Sequence, residues 1–133
     1  MTYPRLRQVV LDTTDPRALA DFYGQLLGFH LRQGDDDDWA VLLDSDGRAR
    51  MAFQEVDELP ATTWPEPGVA QQMHLDLTVP SVAELEVQHK RALALGARVR
   101  LDRSDDDEEP LRVYADPSGH LFCILLAPLS THG

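Results

Sequence analysis

The sequence predicts an α+β chain built from two copies of one strand–helix–strand–strand–strand unit. Three observations carry that prediction. Met73–Pro80 alternates apolar Leu75, Leu77 and Val79 with polar His74, Asp76 and Thr78, the pattern of a strand with one greasy and one polar face, and the similar phrase Gln8–Pro16 puts Val9, Leu11 and Thr13 on one face and Gln8, Val10 and Asp12 on the other. Each runs straight into a helix-start signal, Asp15-Pro16 in one copy and Ser81 in the other. Each copy then carries an acid-rich hairpin and a glycine turn: Asp35–Asp38 with Asp44–Gly47, and Asp105–Glu109 with Asp116–Gly119. Aligning Asp15 with Ser81 sets the offset at 66 residues, which places Leu77 over Leu11 and His74 over Gln8. A rival offset of 64 matches two Leu-Asp pairs but pushes Ser81 off its cap.

The first unit, about residues 5–56, opens with a strand over Leu6–Thr13. Asp15 caps a helix whose first turn accepts Pro16, since the missing N–H there has no intrahelical partner to lose. Leu19, Phe22, Tyr23, Leu26 and Leu27 recur at three- and four-residue spacing as one apolar stripe, and Gly28 ends the helix. Short strands follow at Phe29–Gln33, Trp39–Leu43 and Arg50–Val56. The stretch 57–71, with Pro60, Pro65 and Pro67 beside Gly68, is an irregular connector, and its Trp64 is expected to pack against one of the units. The second unit, about residues 72–127, starts with the strand Met73–Val79. Ser81 and Glu84 then form a capping box. Val82, Leu85, Ala92, Leu93 and Leu95 make a looser apolar face before Gly96, and strands follow at Arg98–Asp102, Leu111–Ala115 and Leu121–Leu126. Allowing three fewer residues after the glycine turn places Phe122 over Phe53 and Cys123 over Gln54.

Composition narrows the function. A chain of 133 residues with 43% apolar content reads as one globular domain, 1–133, able to bury a core without disulfides. Its longest apolar run, Leu121–Ala127, is too short to span a bilayer, so no membrane partner is expected. The start Met1-Thr2-Tyr3-Pro4-Arg5 has no apolar leader, and the lone Cys123 has no internal partner; both fit a cytoplasmic location. The net charge is −11 with no basic stripe, which argues against nucleic acid and anionic lipid as partners.

Val9-Val10-Leu11-Asp12-Thr13-Thr14-Asp15-Pro16, Asp21-Phe22-Tyr23, Leu27-Gly28-Phe29, His74-Leu75-Asp76-Leu77 and Asp116-Pro117-Ser118-Gly119-His120 together resemble the vicinal-oxygen-chelate superfamily. This is the glyoxalase, bleomycin-resistance and extradiol-dioxygenase group, and within it the chain is most similar to glyoxalase-like domain proteins. The resemblance implies two βαβββ modules whose curved mixed sheets face each other around a cavity, with helices on the outer faces. It also implies that a metal, where one is used, is held at Gln8, Gln54, His74 and Cys123, with homodimers common.

Catalytic members place carboxylates among those four positions, whereas here there are two amides, one imidazole and one thiol. Amide oxygens neither neutralise a divalent cation nor move protons, so the expectation is a small-molecule-binding protein without the standard metal site and with no cofactor. The alternative is a lyase, isomerase or dioxygenase with an unusual site for zinc, nickel, manganese or iron at His74, Gln8 and Gln54. Whether the chain is an enzyme is left open by its residues. The expected ligand face comprises Gln8, Val10, Gln54, His74, Asp76 and Cys123, with Trp39, Arg112 and Tyr114 on hairpin strands as flat or charged walls. Set against this, Cys123 also reads as a small buried apolar residue and the acidic hairpins as solvated turns.

Overall fold

A computed structural model of the protein describes residues 2–127. The described residues divide into two compact units, one up to Leu59 and one from Pro60 onward, and each holds one four-stranded mixed sheet with one helix.

In the first unit, β1 (Val9–Thr13) leads into α1 (Pro16–Leu27), followed by β2 (His30–Leu31), β3 (Trp39–Leu43) and β4 (Ala49–Glu55). The sheet order is β1-β4-β3-β2, with β1 parallel to β4 and the remaining pairs antiparallel. Asp15 caps α1 by accepting from the Ala18 N–H at 3.2 Å, and Gly28 closes it at φ +74°, where a side chain would be strained. Leu19, Phe22, Tyr23 and Leu26 are buried as the stripe requires, and the Tyr23 ring stacks on Phe53 of β4 at 6.0 Å. The helix therefore covers the face that carries Leu11 and Phe53, and Val10, Asp12, Ala52, Gln54, Trp39 and Val41 share the opposite face by register.

The second unit repeats the plan with β5 (His74–Val79), α2 (Val82–Leu95), β6 (Arg98–Arg103), β7 (Leu111–Ala115) and β8 (Leu121–Leu126), in the order β5-β8-β7-β6. Ser81 accepts from the Glu84 N–H at 3.1 Å, which is one half of the expected capping box. Only Leu85 and Ala92 of α2 are buried. Val82 and Leu93, expected on its apolar face, are exposed, because Glu86 and His89 take part of the contact with the sheet through polar bonds. The connector belongs to this unit from Pro60 onward. Trp64 packs against Leu111, Val113, Ala115 and Leu121, while Arg100 donates to the carbonyls of Thr62 and Thr63.

The matching caps, Asp15 accepting from Ala18 and Ser81 from Glu84, support the offset of 66, and with it the ladder pairing corrects the offset used for the last strands. Val9 is level with Met51, and Leu75, its counterpart, is level with Phe122. Met51 thus corresponds to Phe122 at an offset of 71, so Cys123 matches Ala52, and Gln54 matches Leu125. The register shift between Leu42 and Leu43 leaves Arg50 as one extra residue in β4, which accounts for a single missing residue after the second turn where three were expected.

Candidate functional site

In the second unit the side chains of His74, Asp76 and Cys123 stand on one face, because His74 and Asp76 are two apart on β5 and Asp76 is level with Cys123. One donor atom from each lies within 4.8 Å of the others, and His74 Nε2 is 3.3 Å from Asp76 Oδ1. Beside them, Leu121, Val113, Ala115 and Leu111 form a buried apolar cluster against which Trp64, Leu101, Cys123 and Leu125 pack. Burial pushes the Cys123 thiol up to about 11, with the Asp76 charge adding to the effect, so the sulfur stays protonated at neutral pH.

Arg112 and Tyr114 are on the other face. Arg112 is level with Ile124 and Tyr114 with Phe122, both buried towards α2. Arg112 donates to Asp102 at 3.0 Å, to Glu86 of α2 at 2.8 Å and to Ser104 at 3.1 Å. Its Nη1 also lies 2.8 Å from Glu86 Oε2, although at an angle that makes this a charge contact and not a hydrogen bond. The Tyr114 hydroxyl meets His89 Nδ1 of α2 at 2.8 Å, and burial raises its pKa to about 12. Both residues bind the helix to the sheet. Their expected place on the ligand face is corrected: alternation along β7 turns residues 112 and 114 away from Leu111, Val113 and Ala115.

In the first unit, Trp39, Gln54 and Asp12 lie level across three strands, a half-buried indole beside two exposed polar groups. Val10 is 41% exposed on the same face. Gln8 is four residues before Asp12, on the order of 13 Å along the strand, so upright side chains of Gln8 and Gln54 do not converge on one ion. Gln8 Oε1 is buried with no hydrogen-bond partner and lines a hollow of about 840 Å³ with Arg5, Arg7, Arg32, Arg48 and Arg50. Five guanidinium groups make that place hostile to a cation. The sequence has no basic stripe, but the fold gathers a local basic patch. The arginines are dispersed between positions 5 and 50, and only folding collects them; the period-two pairs Arg5/Arg7 and Arg48/Arg50 were the available signal.

As a metal site, the family's four positions do not fit a hard ion such as manganese. They offer no carboxylate, Gln8 sits among arginines, and the Cys123 proton is held firmly. The donor set His74, Asp76 and Cys123 is different: imidazole, carboxylate and thiol within one hand's span suit a zinc-like ion with an open position, provided the thiol ionises.

Two βαβββ units with a polar cluster on the open face of the second define a protein of the vicinal-oxygen-chelate class. The chain belongs to the glyoxalase-like domain family, whose model matches residues 8–125. A glyoxalase/bleomycin resistance protein/dioxygenase family enzyme from Burkholderia phytofirmans PsJN shares the fold at 18% identity, with a TM-score of 0.71 over 94% of this chain and 100% of that one. A mutant of the fosfomycin resistance protein FosX from Listeria monocytogenes, complexed with Mn(II) and 1S,2S-dihydroxypropylphosphonic acid, shares it at 17% identity, with a TM-score of 0.71 over 96% and 94%. Lactoylglutathione lyase from Agrobacterium tumefaciens shares it at 16% identity, with a TM-score of 0.63 over 96% of both chains. No curated protein matches the sequence.

Proposed function

We propose that this chain is a small-molecule-binding protein of the glyoxalase/bleomycin-resistance type that works without the metal of its catalytic relatives. The observation that carries this reading is the open face of the second unit. Three polar tips, His74, Asp76 and Cys123, converge at the edge of the buried Leu121 and Val113 that Trp64 packs against, polar groups beside apolar surface of the kind that orients an organic ligand by a few hydrogen bonds. Trp39 beside Gln54 gives the first unit a flat surface of the kind that stacks on rings. Gln8 serves better as an acceptor for a ligand donor than as a metal ligand, given its arginine neighbours. The protein is expected to copurify with no stoichiometric divalent metal and to act as a cytoplasmic protein, as a monomer or a homodimer. Mass spectrometry under native conditions tests this: a small molecule retained by the parent should be lost in His74→Phe, which removes a polar tip and fills its space. Equal retention in the variant would contradict the site.

A second reading is favoured by the proximity of the same three donors. Relatives in the fold include FosX with Mn(II) and lactoylglutathione lyase, so a lyase, isomerase or dioxygenase using zinc, nickel or iron at His74, Asp76 and Cys123 is the enzyme alternative. About one such ion per chain by elemental analysis, abolished by His74→Ala, would favour it over the metal-free reading.

A further inference from the structure

Apart from Gln8, the residues of the arginine-lined hollow in the first unit have no part in that reading, and their chemistry points elsewhere. The hollow is built from three segments. Arg5 and Arg7 lie on the segment before β1, Arg48 on the turn into β4 and Arg50 within β4, and Arg32 follows β2. Two of the five are neutralised: Arg32 forks onto Asp35 at 2.9 and 3.0 Å, and Arg50 reaches Asp44 at 3.3 Å. The side chains of Arg5, Arg7 and Arg48 have no partner among the described residues, so three positive charges are uncompensated in a chain whose net charge is −11.

The frame that presents them is rigid. Asp44 Oδ1 accepts from the N–H groups of Asp46 at 2.9 Å and Arg48 at 3.0 Å, Asp44 N–H donates to the Arg48 carbonyl at 2.9 Å, and Gly47 takes φ +80° to close the turn. Gln8 Oε1, buried at the same hollow, lacks the donor that a buried carbonyl requires.

We propose that this hollow binds a small organic anion carrying a phosphoryl or carboxyl group. Arg5, Arg7 and Arg48 hold the charged oxygens, and Gln8 Oε1 accepts from a hydroxyl or amine on the same ligand. Guanidinium forks match both oxyanions. The volume of about 840 Å³ lies in the range of small-ligand sites. A long polyanion is disfavoured, because beyond about 8–10 Å it would meet the 23 carboxylate side chains of the chain, whereas a small anion feels mainly the local field.

The test is amide-shift mapping of the full chain titrated with inorganic phosphate, glycerol 3-phosphate and succinate at low salt. The expected result is saturable shifts at Gly47, Arg48, Ala49 and Val9 with at least one of these anions, weakening with added salt. In the double variant Arg7→Ala/Arg48→Ala affinity should fall by about tenfold or more, since two charge-assisted contacts are lost. Both side chains are exposed, and the dispersion of the spectrum reports that the variant is folded. Glycerol 3-phosphate should bind more tightly than inorganic phosphate, and Gln8→Leu should erase that advantage. An unsaturable response to all three probes, or equal affinity in the double variant, overturns the proposal. So do shifts at these amides that grow with protein concentration alone, which would assign the hollow to an acidic segment of a second copy. His74→Phe should leave anion binding unchanged, so this site and the one on the second sheet fail or hold separately.

Discussion

Replacing Arg112 by Met separates a structural role from a ligand role. Arg112 is 5% exposed and donates to Asp102, Glu86 and Ser104 at 2.8–3.1 Å. A fully buried pair broken on one side would be severely destabilising, but here the Glu86 and Asp102 side chains are 51% and 47% exposed and rehydrate when abandoned. Discounting each pair to about 0.5–1 kcal/mol for solvent screening, and keeping the stem volume with Met, gives a loss of about 1–2 kcal/mol. Arg112→Ala adds a cavity beside Tyr114, so about 2–4 kcal/mol is expected. Urea unfolding followed by circular dichroism measures both.

The pH dependence makes the test sharper. Asp102 is lowered to about 2, first by hydrogen bonds from Ser104 and then by Arg112, while Glu86 is lowered first by Arg112. Both folded pKa values lie below the unfolded ones, so these contributions are present above roughly pH 5 and are lost as pH falls towards 2. The gap between parent and Arg112→Met should therefore be full near neutrality and shrink through that window. Most of the shift of Asp102 should survive in the variant because Ser104 remains. A variant as stable as the parent, or a gap that widens in acid, would refute the assignment.

Other outcomes follow from the same geometry. Iodoacetamide should modify Cys123 slowly at neutral pH and faster as pH approaches about 11, and Asp76→Asn should speed the reaction only in part, because burial outweighs the carboxylate; a half-rate point at the ordinary thiol pKa would count against this. Trp64→Ala should cost about 1–3 kcal/mol and uncover the Leu111–Leu121 wall, read as increased binding of an apolar dye. Gly119→Ala should cost about 1–3 kcal/mol, because φ is +96° and the new Cβ would meet the Ala61 Cβ at 2.6 Å; Ala61→Gly should restore only the steric share.

Much of the fold was legible because local signals agreed with the long-range pattern. Asp15, Ser81, Gly28 and Gly96 mark helix ends through backbone chemistry that needs no tertiary partner, and both helices span the expected residues. β7 and β8 fell within their expected bounds because Asp116–Gly119 fixes the turn between them. Alternation put His74 and Asp76 on one face of β5, whereas Cys123 joined them through its alignment with Gln54 and the resemblance; the β5–β8 register sets it level with Asp76. What failed depended on register or packing. Aligning Phe122 with Phe53 assumed three missing residues and put Cys123 over Gln54; the ladder shows one, the bulge residue Arg50, which puts Cys123 over Ala52, and no local pattern announces a bulge. The side-chain parity of β7 was readable, but which parity faced α2 was decided by Glu86 and His89 on a helix with a weak apolar stripe. The arginine hollow was hidden because its charges come from three separate segments.

The central claim is that a small molecule binds on the open face of the second sheet without a metal. Its most direct test is amide-shift mapping of a bound small molecule, from copurification or a compound library, in the presence of a strong chelator. Metal-free binding there should give shifts at His74, Leu75, Asp76, Leu121, Phe122 and Cys123 that persist when metal is withheld. Shifts confined to the solvent side of α1 or α2, or binding that disappears with the chelator and returns with zinc, would contradict it.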